Sequence, residues 1–450
     1  MKNNYFEVKN NSLFAKKVET LEDMDGVYQI GHPAQLDCET VAVGLNIRCC
    51  GVNAIDLEVG NDILILKDFE HPENGKFQML DRPSKFINPL SGKEELLARY
   101  PKNIGFVPLG AKLDDDSTHP FAGTGFIIGQ VMGFPLEKLD RSDCFDGIPQ
   151  EKIFYGFEIA QCSYDGKNFN VGERQIFKIS ELLEGFVFGG GSVGPILPDG
   201  DGLMMAYSGC PDYGDNKVYG CGILRWKNIN GKWIPSKFDS VYEDRRKFET
   251  LNGVSGNLIE PTVVRLNDNS LLFSAREVGN NPFGPGPQEA ERLHIWKSVD
   301  NGKTWILCFI VPHFHTLTPM SLDSSATGKP FVIANAYCTC NSKGETVPSI
   351  ILREKLLAYP LKNDLTGIEE PLVIQDGNAD FGMPPYNSFW RIDLPVGMTL
   401  QFRNKKICHL IFYRVLEHLE CDSNAMPTEF TGCHIAEIKS DGNVMPIWKF

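Results

Sequence analysis

Carboxylate, guanidinium, amide and phenol side chains recur at two places in a strand–turn–strand unit that repeats along this 450-residue chain. One place is the start of the first strand, and the other is the end of the second strand. If the units pack side by side around an axis, both places lie on one face close to that axis. Unpaired charge in an enclosed position is costly, so a rim that served packing alone would have no need of these groups. The repeat therefore predicts a polar ligand site at the centre of one face.

The candidate site residues follow from laying the repeats over one another. At the first-strand position they are Asp37 or Glu39, His119, Ser192, Glu260, Thr318, and Arg391 or Asp393. At the second-strand position they are Tyr207 or Ser208, Arg276, Asn335 or Tyr337, and Arg414. We expect His119, Asn335 and Tyr337 to contact a bound substrate.

Glu260 and Arg276 form the pair with the clearest spacing. They lie 16 residues apart (276 − 260), which accommodates two strands, 260–266 and 270–276, and the turn 267–269. A carboxylate at such a place suits proton transfer, and a guanidinium binds an anionic group through two parallel hydrogen bonds. A structural ion pair between neighbouring strands is the alternative interpretation.

The elements that must position these residues are short strands. Apolar runs of four to eight residues, bounded by Gly, Pro, Asn and Asp, recur along the chain and predict an all-β fold. Equivalent starting points at Gly194, Pro261, Pro319 and Met398 give intervals of 67, 58 and 79 residues (261 − 194, 319 − 261, 398 − 319). Each interval fits one four-stranded blade of a β-propeller.

Two earlier units, at 39–45 and 123–129, complete a set of six blades, with five or seven blades as alternatives. We expect the C-terminal strand near 433–448 to close the ring onto the first blade near 30–70. The whole chain, 1–450, then forms a single propeller domain.

Two stretches interrupt the strand pattern. Residues 85–100, which include Glu94-Glu95-Leu96-Leu97-Ala98-Arg99, and residues 180–183 are expected to form short helices that decorate the propeller.

The octapeptide Ser298-Val299-Asp300-Asn301-Gly302-Lys303-Thr304-Trp305 describes a tight hairpin tip. Asp and Ser satisfy turn amides, Gly supplies a positive φ, and Trp covers the apolar side of the hairpin. A degenerate copy lies at 163–169, and looser relatives lie at 228–233 and 440–442. These residues resemble the Asp-box, or BNR repeat, which implies a six-bladed β-propeller of sialidase-like type. In such propellers the tips lie on the outer rim, so we expect Asp300 to be structural.

The resemblance to the sialidase superfamily extends to Glu-Pro-x-Val-Val-x-Leu at 260–266 and to the strand that ends in Arg276. It implies that Glu260 polarises a tyrosine nucleophile and that Arg276 binds a substrate carboxylate. Tyr386, late in the chain, is the candidate nucleophile, with a packing role as the alternative. Asp37 is the candidate general acid, with a strand cap as its alternative and Asp393 as its rival.

The match is incomplete in the arginine set. Sialidases open with a Phe/Tyr-Arg-Ile-Pro motif, whereas this chain reads Gln29-Ile30-Gly31-His32-Pro33 and has no Arg there. Blade equivalence offers Arg414 as a second guanidinium. A third guanidinium would come from Arg391, Arg353 or Arg48.

The activity implied by the resemblance is an exo-acting glycoside hydrolase that removes a terminal, acidic sugar from a glycan. Two alternatives stay open because of the missing Arg. One is a polysaccharide lyase or a hydrolase of non-sialic sugars, and the other is a non-catalytic glycan-binding propeller. A protein-interaction propeller is disfavoured because the predicted rim is charged and lacks a broad apolar patch.

Composition narrows the classes of partner and cofactor. A net charge of -14 and a pI near 5.2 disfavour nucleic-acid binding. The N-terminal residues lack the apolar core of a secretory signal, no run is long enough to span a membrane, and the 13 Cys include no CxxC pair. We therefore expect a cytoplasmic protein with reduced thiols and no membrane partner, with a secreted or periplasmic protein trimmed of its signal as the alternative. No His or Cys spacing predicts a metal site, so no cofactor is expected, with structural calcium at the centre as an alternative.

Overall fold

In the computed structural model the chain folds almost entirely into antiparallel β-sheet. The structure describes residues 6–9, 12–15, 18–19, 25–37, 39–49, 58–67, 75–81, 84–99, 103–107, 111–113, 115–135, 152–182, 188–191, 194–210, 220–241, 257–278, 292–311, 314–315, 320–324, 328–335, 337–338, 354–382, 388–401, 407–419, 429–438 and 444–446.

The first two of six large sheets come from residues 18–178. Before them lie β1 (Phe6–Lys9) and β2 (Ser12–Ala15). The first sheet contains β3 (Val18–Glu19), β4 (Asp25–Ile30), β5 (Ala34–Gln35), β6 (Val41–Cys49), β7 (Glu58–Leu66) and β8 (Lys76–Asp81). The second contains β9 (Ser84–Ile87), β10 (Glu94–Arg99), β11 (Asn103–Phe106), β12 (Gly125–Pro135), β13 (Tyr155–Tyr164) and β14 (Phe169–Lys178), and α1 (Ile179–Leu182) follows it.

The third and fourth sheets have four sequential strand positions each, numbered outward from the centre. The third contains β15 (Phe188–Gly191), β16 (Leu197–Asp199), β17 (Gly202–Cys210), β18 (Gly220–Ile229) and β19 (Lys232–Ser240), with β15 and β16 both pairing with β17. The fourth contains β20 (Asn257–Arg265), β21 (Leu271–Val278), β22 (Leu293–Ser298) and β23 (Ile306–Val311).

The fifth and sixth sheets complete the fold. The fifth sheet contains β25 (Ser321–Ser324), β26 (Pro330–Ala334), β28 (Lys355–Pro360) and β29 (Leu372–Asp376). It is accompanied by a two-stranded ladder of β24 (Phe314–His315) and β27 (Tyr337–Cys338). The helix α2 (Gly377–Phe381) follows β29. The sixth contains β30 (Ser388–Gln401), β31 (Ile407–Leu419), β32 (Glu429–Ile438) and β33 (Val444–Pro446), together with β1 and β2.

The six sheets form a closed ring in chain order. Successive sheets touch through their central strands, β5 with β11, β12 with β15, β17 with β20, β20 with β25, and β25 with β30. The ring closes because β30 also contacts β4 of the first sheet. This is the six-bladed β-propeller that the repeat spacing predicted, and it places the first and fourth blades on opposite sides of the axis.

The closure of the ring differs from the sequence prediction. The strand β32 pairs with β31 in the sixth sheet, and the N-terminal β2 pairs with β32 through Leu13 and Cys433. The N-terminus therefore extends the last blade, whereas we had expected the C-terminal strand to extend the first blade. Pairing between the consecutive strands β31 and β32 closes a shorter loop and costs less chain entropy.

Apolar side chains fill the seams between neighbouring blades. Phe126 and Phe157 of the second blade pack with Tyr207 and Trp226 of the third in one buried cluster. Further clusters join the first blade to the second, the third to the fourth, the fourth to the fifth and the fifth to the sixth. The second to fifth sheets are thus buried on both sides, as in face-to-face sheet packing.

Two faces of the propeller follow from this connectivity. The turn face carries the connection from the first to the second strand of each blade and from the third to the fourth. Contacts between blades confirm that these turns share one face, because Asn301 Nδ2 donates to Asp199 Oδ1 at 2.6 Å and Lys67 Nζ donates to Gly166 O at 2.9 Å. The start face is the opposite one, where β20 and β30 begin and β21 and β31 end.

The hairpin tip at Asp300 lies on the turn face, on the outermost hairpin of the fourth blade. Asp300 Oδ1 accepts from the backbone amides of Lys303 at 3.1 Å and Thr304 at 2.9 Å, and Ser298 Oγ accepts from Gly302 N at 2.8 Å. The Thr304 hydroxyl, which donates to Asp300 Oδ2 at 2.6 Å, and the backbone amides of Thr304 and Lys303 hold the pKa of Asp300 well below its usual range. Gly302 has φ +80, so the predicted turn chemistry is confirmed.

Two of the degenerate copies also form third-to-fourth-strand tips. Asp165 Oδ1 accepts from Lys167 N and Asn168 N between β13 and β14. Asn228 Oδ1 accepts from Gly231 N between β18 and β19. The copy at 440–442 lies outside the described residues.

One helix prediction is confirmed and the other is wrong. The helix α1 covers the first three residues of the stretch at 180–183. Residues 94–99, in contrast, form the strand β10, paired with β9 and β12. The buried Glu95 accepts from Asn88 Nδ2 at 2.8 Å and Ser91 Oγ at 2.9 Å, so tertiary contacts override the local helix propensity.

Buried histidines couple the stability of the propeller to pH. Desolvation lowers the pKa of His434 to about 3 and that of His409 to about 4, and His434 stacks on Tyr413 at 5.5 Å. The unfolded chain binds protons at these residues near the ordinary pKa of 6.5, where the folded chain does not. Stability contributed by the neutral imidazoles is therefore present above that value and is lost as pH falls through it. Desolvation also raises the pKa of Asp323 to about 7, which acts in the opposite direction.

We predict that His434→Phe flattens this acid dependence, because phenylalanine retains the stacking surface and cannot bind a proton. The free energy of unfolding of the wild type, relative to the variant, should fall by about 2 kcal/mol between about pH 7 and about pH 5. Urea unfolding at the two pH values measures this difference. A difference that does not change with pH would contradict a depressed pKa at His434.

Candidate functional site

Glu260 and Arg276 meet on the start face of the fourth blade. Arg276 Nη1 lies 3.0 Å from Glu260 Oε2, and the side chains of Arg276 and Glu260 are 15% and 25% exposed. The two side chains therefore form the ion pair between neighbouring strands that the alternative interpretation described, and both remain partly accessible, so their role at a ligand site stays a prediction. This is the geometry of a charge-assisted hydrogen bond whose acidic member can still be reached from solvent.

A β-bulge presents Glu260. Ile259 pairs with Arg276 and Thr262 pairs with Ser274, so two residues of β20 stand opposite one residue of β21. Glu260 has φ +51, which is a strained conformation for a residue with a Cβ. Its backbone N donates to Ser208 Oγ of the third blade at 3.3 Å, which ties the bulge to the neighbouring blade. Strained backbone held by its surroundings is common at functional sites.

The sixth blade repeats the bulge of the fourth. Asp393 pairs with Arg414 and Val396 pairs with Phe412, which again sets two residues opposite one. Leu394 there has φ +52 and precedes a proline, as Glu260 precedes Pro261. Arg414 therefore occupies the same position in its blade as Arg276 does in the fourth, as the overlay of repeats predicted.

The sixth-blade candidates differ in accessibility. Arg414 is only 2% exposed, whereas Arg391 is half-buried and pairs in register with Leu416. For Asp393 the structure describes the backbone alone. Their roles in substrate binding stay predictions.

Asp37 and His119 lie on the turn face, away from Glu260, which differs from the prediction. Asp37 sits in the turn between β5 and β6 and accepts from Glu39 N at 2.8 Å. This is the capping alternative. His119 lies between β11 and β12, where its Nδ1 accepts from Phe121 N at 3.1 Å. The overlay of repeats had treated β6 and β12, the second strands of the first and second blades, as innermost strands. The innermost strands of these two blades are short and interrupted, so their pattern was not recognised.

The fifth-blade candidates are less favourable than expected. Asn335 is fully buried, and its Nδ2 donates to Lys355 O at 2.9 Å and to Ile392 O, so these contacts join blades five and six. For Tyr337 the structure describes the backbone alone. Tyr386, Arg353, Ser192 and Thr318 lie outside the described residues.

His32 lies at the same level of the ring as Glu260, and the overlay of repeats did not place it there. In the first blade Ile30 pairs with Leu45 and Ala34 pairs with Ala42, so the inner strand again has one extra residue just before a proline. His32 holds the position that Glu260 holds in the fourth blade. It is 8% exposed, and burial lowers its pKa to about 4 although it bonds Pro33 O at 2.8 Å, which leaves the imidazole neutral. The shared proline is the signal that could have identified it.

The described residues contain neither a group of metal-binding side chains nor a membrane-spanning helix. Among them no three His, Cys, Asp or Glu side chains are grouped closely enough to hold a metal ion. In the same ranges no helix is both long and apolar enough to cross a membrane.

Comparisons with known proteins identify the fold. No family model and no curated protein matches the chain. The intramolecular trans-sialidase from Ruminococcus gnavus, solved with oseltamivir carboxylate, is similar with a TM-score of 0.51 at 9% identity, over 98% of this chain and 99% of that one. The leech intramolecular trans-sialidase is similar with a TM-score of 0.50 at 10% identity, over 96% and 70%. A protein of unknown function from Dyadobacter fermentans gives 0.50 at 13%, over 89% and 94%. The fold is therefore that of a sialidase-like six-bladed propeller, as the resemblance implied.

The strained bulge predicts an unusual order of stability at Glu260. Glu260→Gly should be more stable than Glu260→Ala by on the order of 1 kcal/mol, because only alanine must hold a Cβ at positive φ. The free energies of unfolding in urea measure the difference. At Thr262, on the other side of the bulge and outside the positive-φ set, Gly should be less stable than Ala. If alanine is more stable than glycine at both positions, Glu260 is not strained.

Proposed function

We propose that this protein is an exo-acting glycoside hydrolase of the sialidase superfamily that removes a terminal, acidic sugar from a glycan. The observation that carries the proposal is the contact of Glu260 with Arg276 at a strained bulge on the start face. A carboxylate and a guanidinium in one accessible place suit proton handling and the binding of an anionic group.

Two features of the fold support this location. Arg414 stands in the sixth blade where Arg276 stands in the fourth, so two guanidinium groups are carried at the same level of the ring. The tight tips are on the other face, which leaves the start face as the place where strand ends from every blade converge. Such convergence at the end of a closed fold is a common setting for ligand sites.

The proposed mechanism assigns roles by resemblance. Glu260 accepts the proton of the Tyr386 hydroxyl as that oxygen attacks the anomeric carbon, while the glycosidic oxygen takes a proton from the general acid and leaves. Water then attacks the same carbon, which breaks the bond to Tyr386 and releases the sugar. Arg276, with Arg414 and Arg391 as further guanidinium groups, binds the carboxylate of the sugar. Asp393 is the remaining carboxylate candidate for the general acid, because Asp37 lies on the turn face.

A glycan-binding propeller without turnover is the second candidate function. It is favoured by the first blade, where Gly31 and His32 stand in place of the expected arginine. Asp37 lies on the turn face and cannot serve as the general acid at this site, which also favours binding without turnover. Binding would then use the same guanidinium groups without bond cleavage.

We predict that Glu260→Gln lowers kcat by about a hundredfold or more on the aryl glycoside that the wild type cleaves best, because glutamine cannot accept a proton. The panel should contain sialosides, uronides and neutral glycosides, with released phenol measured by absorbance. Arg276→Lys should raise KM for the acidic members, since lysine lacks the planar fork.

The matched control is Glu369→Gln, which removes a carboxylate paired with Lys329 at 2.6 Å on the turn face. Its kcat should equal that of the wild type. If the wild type binds glycans but releases no sugar from any substrate, the binding module replaces the enzyme. If it neither cleaves nor binds, both candidate functions are wrong.

A further inference from the structure

A buried ionic cluster lies beside the proposed site in the fourth blade. Glu277 Oε2 accepts from Arg292 Nε at 2.7 Å, and Glu277 Oε1 accepts from Arg292 Nη2. His294 Nε2 lies 2.7 Å from Glu277 Oε2. Glu277, Arg292 and His294 are 1%, 8% and 0% exposed, so one carboxylate serves two basic side chains inside the protein.

The cluster lies at the end of a strand ladder. Arg276 pairs with Leu293, and continuing that register places Glu277 opposite Arg292 at the start-face end of β21 and β22. Side chains alternate along a strand, so Glu277 and Arg276 point to opposite sides of the sheet. The cluster therefore fixes the backbone immediately next to the arginine that contacts Glu260.

Stability alone does not account for this arrangement. Withdrawing two charges from water costs about as much as their attraction returns, and apolar replacements of buried ion pairs are often neutral or stabilising. A bidentate carboxylate–guanidinium pair does, however, define the relative position of two strands closely. Both facts are consistent with a role for the cluster in fixing the relative position of β21 and β22.

The equivalent positions in the third and sixth blades are not charged. Val415 follows Arg414 in the sixth blade, and Ser208 follows Tyr207 in the third, and both Val415 and Ser208 are fully buried. A small or apolar residue is thus sufficient for packing at this place. The ionic cluster belongs to the one blade that carries Glu260.

We propose that Glu277, through Arg292 and His294, is a positioning residue that holds Arg276 in contact with Glu260. The proposal rests on the proposed function for its effect on turnover, although its structural effect is independent of it. Removal of the cluster lets the end of β21 shift, and a displacement of about 1 Å is enough to reduce catalysis substantially.

The test is the double variant E277L/R292M, which removes both charges together so that neither is left buried alone. Its matched control is E158L/R174M, because Glu158 and Arg174, whose side chains are 1% and 23% exposed, form another ion pair, at 2.9 Å, between β13 and β14 of the second blade. For each protein we would measure kcat/KM on the preferred glycoside, the free energy of unfolding in urea, and the distance from Arg276 Nη1 to Glu260 Oε2 in a crystal structure.

We expect E277L/R292M to lose about tenfold or more in kcat/KM and to lose the 3.0 Å contact, whereas the control keeps both at similar stability. An unchanged contact and unchanged kcat/KM in E277L/R292M would overturn the proposal, as would equal losses in the control. If the double variant does not fold, E277Q, which keeps the shape of the side chain, is measured in the same way. If the wild type has no turnover, the proposed function fails, and the distance in the crystal structures still decides the role of Glu277.

Discussion

Apolar packing between neighbouring blades is the constraint on which the rest of this structure depends. The third sheet, for example, buries both of its sides, as the clusters around Phe157 and Trp226 and around Phe273 and Trp296 show. A charge within a seam would be desolvated without compensation unless it is paired, as Arg225 is with Asp199 and Asp239, so accessible charged groups lie near strand ends and turns. The location of the candidate site follows from this confinement.

The alternation of strand direction then divides the polar residues between two faces. One face carries self-contained tips such as that of Asp300, whose carboxylate is occupied by the backbone amides of its own turn. The other carries Glu260 and Arg276, whose partners come from different strands. Side chains satisfied within a turn stabilise that turn locally, whereas those held between strands depend on the register of the sheet.

Register in turn depends on the bulge before Pro261. One extra residue in the inner strand turns Glu260 to positive φ and sets it against Arg276. The same offset before Pro395 places Arg414 at the corresponding level of the sixth blade, and the first blade has an extra residue before Pro33. A bulge redirects a side chain at small cost to the ladder, which explains how a single repeated sheet can present different groups at one level of the ring.

The sequence by itself determined the features that depend on local patterns. Short apolar runs predicted the strands and the six blades, the Ser298 to Trp305 turn chemistry predicted its hairpin, and the overlay of repeats predicted that Glu260 and Arg276 share one face. Only the tertiary structure decided which strand of a blade is innermost. In the folded chain Asp37 and His119 lie on the turn face and β2 pairs with β32. Glu277, Arg292 and His294 come together there as well. The physical reason is that a strand's apolar pattern reports that it is buried but not which neighbours bury it, and those neighbours are supplied by residues far away in the chain.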